Sequence, residues 1–130
     1  MTTKILEIET IVGRALAEDV GSGDVTSSAI LVENNVWHGH FLAKGEGVAA
    51  GLQVAAMTFR LLDERVQFSA LVEDGDQVTT GAVLAEASGP GQALLGAERV
   101  ALNFLQRMSG IATMTRQYVT AVAGAGAIIL

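Results

Sequence analysis

From Gln92 to Ser109 the chain is apolar over most of a helical wheel, through Leu94, Leu95, Ala97, Ala101, Leu102, Phe104, Leu105 and Met108. Its polar positions Arg99, Asn103 and Gln106 fall at i, i+4 and i+7, one narrow stripe. Such a helix has to be covered on nearly every side, so the rest of the chain must pack around it. With 130 residues, 50% of them hydrophobic, there is material for one core of ordinary size. Four Phe, one Trp and one Tyr make that core aliphatic, and 15 glycines allow elements to approach closely.

Several function classes fall away on composition. Without cysteine there are no disulfides, no thiolate zinc and no cysteine nucleophile, which suits a reducing cytoplasm. The opening residues carry no long apolar run after Lys4, so no secretory signal is expected. The longest uncharged stretch, residues 117–130, falls short of the roughly 20 residues that cross a bilayer. A net charge of −6 repels nucleic acid, anionic lipid and free phosphate at long range. Any anionic ligand must therefore be held by a few local cations.

Residues 4–18 place Ile5, Ile8, Val12, Ala15 and Leu16 at helical spacing, which predicts a two-sided surface helix ending at Asp19. The segment from Asp19 to Ser27 reads as a long ordered loop. A strand follows over 36–43, a turn over 44–47, a short apolar stretch over 48–50 and a helix over 51–62. Val66, Phe68 and Ala70 alternate weakly, Asp74-Gly75-Asp76 signals a hairpin, and 78–87 supplies further strand interrupted by Gly81. After the break at 88–91 come two helices, 92–109 and 111–123, separated at Gly110. The chain closes on a glycine-rich turn and Ile128-Ile129-Leu130, the pattern of a buried parallel strand. Ending inside a βα unit, it reads as part of a longer protein.

Few residues carry chemistry on their own. The Arg99, Asn103 and Gln106 stripe offers a planar cation and two amides, and its plain alternative is a salt bridge, for instance with the adjacent Glu98. Asp19 and Asp24 could hold magnesium, or could simply cap the helix stop and turn. His38 and His40 lie on one face of a strand but lack a third nitrogen or sulfur ligand. No nucleophile-elbow pattern supports a hydrolase triad. The segment 75–84 is similar to the hairpin of biotinyl and lipoyl carriers, yet Lys4 and Lys44 both lie upstream of where a swinging arm would attach. A non-catalytic barrel-sandwich interaction or carrier module is thus the alternative from a different function class.

Three motifs in order resemble one family: Ala17-Glu18-Asp19-Val20-Gly21-Ser22-Gly23-Asp24-Val25-Thr26, then Gly47-Val48-Ala49-Ala50-Gly51, then Ala97-Glu98-Arg99 through Met108-Ser109-Gly110-Ile111-Ala112-Thr113. They look like quinolinate phosphoribosyltransferase, and the molybdenum-transport-associated homologue of the same superfamily shares the layout. The resemblance implies an α+β fold. In it, 1–110 form an N-terminal α/β sandwich of barrel-sandwich-like β-hairpins with flanking helices, and 111–130 begin a C-terminal α/β barrel. It implies a cytoplasmic, homo-oligomeric enzyme, dimeric or a multiple of dimers, that joins quinolinate to phosphoribosyl pyrophosphate. The products would be nicotinate mononucleotide, pyrophosphate and carbon dioxide, in NAD biosynthesis. Arg99 would grip a quinolinate carboxylate in a neighbouring subunit's site, with Asn103 and Gln106 behind it. Magnesium would enter with the phosphoribosyl donor, held by the barrel and by no residue of this chain. The family's next motif, Thr-Arg-Lys-Thr, would fall past Leu130, so the 130 residues alone are expected to be inactive.

Overall fold

A computed structural model describes residues 2–21 and 35–126 of the chain. The loop expected to follow Asp19 lies outside these residues from Ser22 onward, and so does the terminal strand over 127–130. The order of elements is α1 (Thr2–Gly21), β1 (Val36–Leu42), β2 (Gly47–Val48), α2 (Leu52–Leu62), β3 (Gln67–Ala70), β4 (Gln77–Val78), β5 (Val83–Pro90) and α3 (Gly91–Ala121). Mixed helices and antiparallel strands make this an α+β chain. The helix α1 runs two residues past its expected stop, so Asp19 sits in its last turn. Its buried stripe is also narrower than its spacing implied: Val12 and Leu16 are buried, whereas Ile5 is exposed.

Among the described residues two small sheets form, one ordered β1-β5-β3 and one pairing β2 with β4, all antiparallel. None of these pairings joins consecutive strands, so the hairpin expected at Asp74-Gly75-Asp76 does not form. The tight turn itself does, with Gly75 at φ 98 and the Asp76 amide donating to the Glu73 carbonyl at 3.0 Å. What redirects the chain is the neighbouring segment: the Gly75 amide donates to the Ala49 carbonyl at 2.7 Å, drawing the turn onto β2. Strands either side of it then belong to different sheets.

Period two sorts the larger sheet into faces. Phe41, Phe68, Ala85 and Ala87 turn inward, while His40 pairs across with Glu86 on the outer face. Phe41, Phe59 and Phe68 meet at centroid distances of 5.8, 5.8 and 5.9 Å, joining the sheet to α2. Against this cluster α3 lays Ala93, Ala97, Val100, Ala101 and Leu105, all buried. Small residues on that face let helix backbone approach helix and sheet closely.

The expected break at Gly110 is absent. A single helix runs from Gly91 to Ala121, beginning directly where β5 ends. Side-chain hydroxyls on either side of Gly110 hold it to β2: the Val48 amide donates to Thr113 Oγ1 at 2.9 Å, and the Ala50 amide donates to Ser109 Oγ at 3.0 Å. External hydrogen bonds of this kind offset the looseness that a glycine gives a helix interior.

Candidate functional site

The polar stripe of α3 surfaces where the helix passes the end of α1. Arg99 is 74% exposed at its side chain, and its Nη1 donates to Asp19 Oδ1 at 3.2 Å. The plain alternative of a salt bridge is thus present, but with Asp19 across the helix pair rather than with adjacent Glu98. One long contact at so exposed a position holds the guanidinium weakly, since pairs of this kind contribute about 0–1 kcal/mol.

Asn103 is exposed one turn further along and lines an open cleft of ≈ 600 Å³ between α1 and α3, with Glu18, Asp19, Val100, Phe104 and Arg107. Gln106 is exposed and does not line it. In its place stands Arg107, for which the sequence suggested no role. Its signal was available: Arg99, Asn103 and Arg107 stand at strict i, i+4, i+8 spacing and so share a face. The cleft is close to balanced in charge: Glu18 and Asp19 face Arg107 in its lining, and Asp19 also accepts from Arg99.

The other candidates do not assemble. His40 Nε2 lies 3.4 Å from Glu86 Oε1 with both side chains exposed, His38 is exposed on the same strand, and among the described residues no three His, Cys, Asp or Glu side chains converge on a possible metal position. Asp24 lies outside the described residues. Lys4 and Lys44 are exposed, on α1 and on the β1–β2 turn.

Two of the three sequence motifs meet in space. Residues 47–51 are bonded to Ser109 and Thr113 on one side and to Asp74 on the other, where the Gly51 and Leu52 amides donate to the Asp74 carboxylate at 3.2 and 3.1 Å. That carboxylate caps the start of α2 from a distant turn, satisfying amides a helix leaves open and meeting the positive end of its dipole. Gly51, at φ 93, has no room for a side chain, since a Cβ would stand 2.9 Å from Met108 Sδ.

Residues 24–109 match the family model described as quinolinate phosphoribosyl transferase, N-terminal domain. The chain belongs to the quinolinate phosphoribosyltransferase family. Among curated relatives, the "probable nicotinate-nucleotide pyrophosphorylase (carboxylating)" of Bacillus subtilis is 45% identical over 114 residues, covering 88% of this chain and 39% of its own length. The quinolinate phosphoribosyltransferase (decarboxylating) 1b of Nicotiana tabacum is 40% identical over 111 residues, covering 85% of this chain and 32% of its own. Among solved structures, NadC from Streptococcus pyogenes superposes with a TM-score of 0.86 at 42% identity, over 91% of this chain and 43% of that one. This member of the family therefore spans about two fifths of the Bacillus relative's length. No helix of the described residues is long and apolar enough to cross a membrane.

Proposed function

We propose that this chain is the N-terminal portion of a cytoplasmic quinolinate phosphoribosyltransferase, and that Arg99 is its contribution to the substrate site. The reaction joins the ring nitrogen of quinolinate to C1 of phosphoribosyl pyrophosphate, expels pyrophosphate, and releases the 2-carboxylate as carbon dioxide to leave nicotinate mononucleotide. Residues 1–110 form the N-terminal sandwich, in which α2 and the first half of α3 pack on the strands and α1 packs on those two helices. Residues 111–130 open the barrel that binds the phosphoribosyl donor.

The observation carrying this reading is an exposed guanidinium, held among the described residues by one 3.2 Å bond, on a helix whose inward face alone is buried, through Ala97, Val100, Ala101 and Leu105, rather than covered on nearly every side as its composition suggested. A planar guanidinium grips a carboxylate with two parallel bonds, which an ammonium cannot copy. As the family resemblance implies, the dicarboxylate lies in a neighbouring subunit's barrel, which makes the working unit a homo-oligomer, dimeric or a multiple of dimers. Asn103 lines the cleft beside Asp19 and can orient its carboxylate; Gln106 stays a rim residue open to the partner. When bound, magnesium offsets the charge collecting on departing pyrophosphate, and no described residue of this chain is assigned to it.

The test is quinolinate binding by the full-length protein that carries this segment, with Arg99 changed to Ala. A loss of most affinity with folding intact supports the assignment, and unchanged binding and turnover remove Arg99 from the site.

A further inference from the structure

The second half of α3 is held in an unusual way. Of residues 111–121 only Ala112 and Thr113 are half-buried, and Ile111, Met114 and Tyr118 point outward at 69, 59 and 58% exposure. The side of the helix facing its own chain is polar instead: Ser109, Thr113 and Arg116, at i, i+4 and i+7. Core packing cannot therefore set the direction of this half. Hydrogen bonds must.

Each hydroxyl is used twice. Ser109 Oγ donates to the Ala50 carbonyl at 3.1 Å and accepts from the Ala50 amide at 3.0 Å. Thr113 Oγ1 accepts from the Val48 amide at 2.9 Å and donates back to the Ser109 carbonyl at 2.7 Å. Ala49, between them, turns the other way and bonds the Gly75–Asp76 backbone. Alternation along β2 thus presents residues 48 and 50 to the helix, and the two hydroxyls occupy the edge where another strand would pair. The approach is close enough to exclude a side chain at residue 47, where a Cβ would stand 2.7 Å from Thr113 Oγ1.

Between the two hydroxyls lies Gly110, exposed, with no atom of another described residue within 4 Å of where its Cβ would be. No described neighbour demands glycine there, and glycine softens a helix. We propose that Ser109 and Thr113 are positioning residues that splint α3 across Gly110 and so fix the direction in which its far half leaves the sheets. That this direction also sets where the barrel sits rests on the two-domain reading above; the splint itself does not. The bond from Arg116 Nη2 to the Gly75 carbonyl at 3.1 Å is a third tie, exposed to competing water.

The chain has no cysteine, so it accepts paired nitroxide labels cleanly. Labels at Gln53→Cys on α2 and Gln117→Cys on the far half of α3, read by pulsed electron resonance well below the melting temperature, should give one narrow distance distribution. Adding Ser109→Ala and Thr113→Val should broaden it roughly two-fold, and adding Gly110→Ala to that background should narrow it again. A melting shift with an unchanged distribution, or no narrowing with Gly110→Ala, overturns the proposal, because a residue that only stabilises would not move the distance. Should the double variant fail to fold, amide exchange in the unsubstituted chain decides. Slow exchange at Val48 and Ala50 supports the splint, and exchange as fast as at an unbonded surface amide overturns it. Neither measurement involves substrate, so its failure and that of the Arg99 assignment are separable.

Discussion

Arg99 and Arg65 show how differently a guanidinium can be employed on this chain. Arg65 closes on its neighbour: its Nη2 and Nε donate to Asp63 at 2.7 and 3.0 Å, and its amide adds a third bond at 2.9 Å. Those side-chain bonds, ahead of the backbone one, hold the Asp63 carboxyl below the usual carboxylate range. The sign follows from that: whatever stability the pair supplies is present above the ordinary carboxylate pKa and is lost as pH falls through the lowered one. Changing Arg65 to Gln should raise the Asp63 pKa toward its ordinary value in an NMR titration; an unmoved value would mean the backbone bond alone sets it. Arg99, by contrast, has one longer bond to Asp19, although the two arginine side chains are about equally exposed, at 68 and 74%. The first guanidinium is committed to a two-point grip within its own turn, and the second is held, among the described residues, by a single bond between two helices.

At the scale of elements, legibility tracked how local the determining forces were. The spacing of Leu52, Ala55 and Phe59 was enough to place α2, because it reflects one buried face, whereas the weak alternation of Val66, Phe68 and Ala70 placed β3 although Phe68 is only half-buried and Ala70 is exposed. Two of the misreadings, at Gly110 and at Asp74-Gly75, involve long-range hydrogen bonds. Gly110 looked like a helix break because nothing near it in sequence announces that β2, some 60 residues upstream, will bond Ser109 and Thr113. Asp74-Gly75 looked like a hairpin because nothing local says that Asp74 will cap α2. The cap makes a prediction of its own: Asp74→Ala should cost about 1 kcal/mol and lower the melting temperature by about 4 °C. An unchanged melting curve would mean that water replaces the carboxylate at no cost. The site was legible in part. Arg99 stood out because it is a cation on an apolar helix, whereas the paired role of Asp19 depends on where α1 ends against α3.

For the molecule as a whole, the family assignment and the chain's extent point the same way. The chain matches the N-terminal domain model and covers 39% of a Bacillus relative, and in the function proposed above its part in the substrate site is a single guanidinium. The 130 residues by themselves should therefore show no phosphoribosyl transfer from quinolinate, and detectable turnover would mean that the barrel is dispensable. An intact mass free of any biotin or lipoate adduct is expected as well, against the carrier alternative. The most direct measurement is calorimetric titration of quinolinate into the full-length oligomer with Arg99 as found, as Lys and as Ala. Our account predicts that Ala loses most of the affinity and that Lys recovers little of it, since an ammonium lacks the second parallel bond. Equal affinity in all three proteins, each folded and oligomeric, would contradict it.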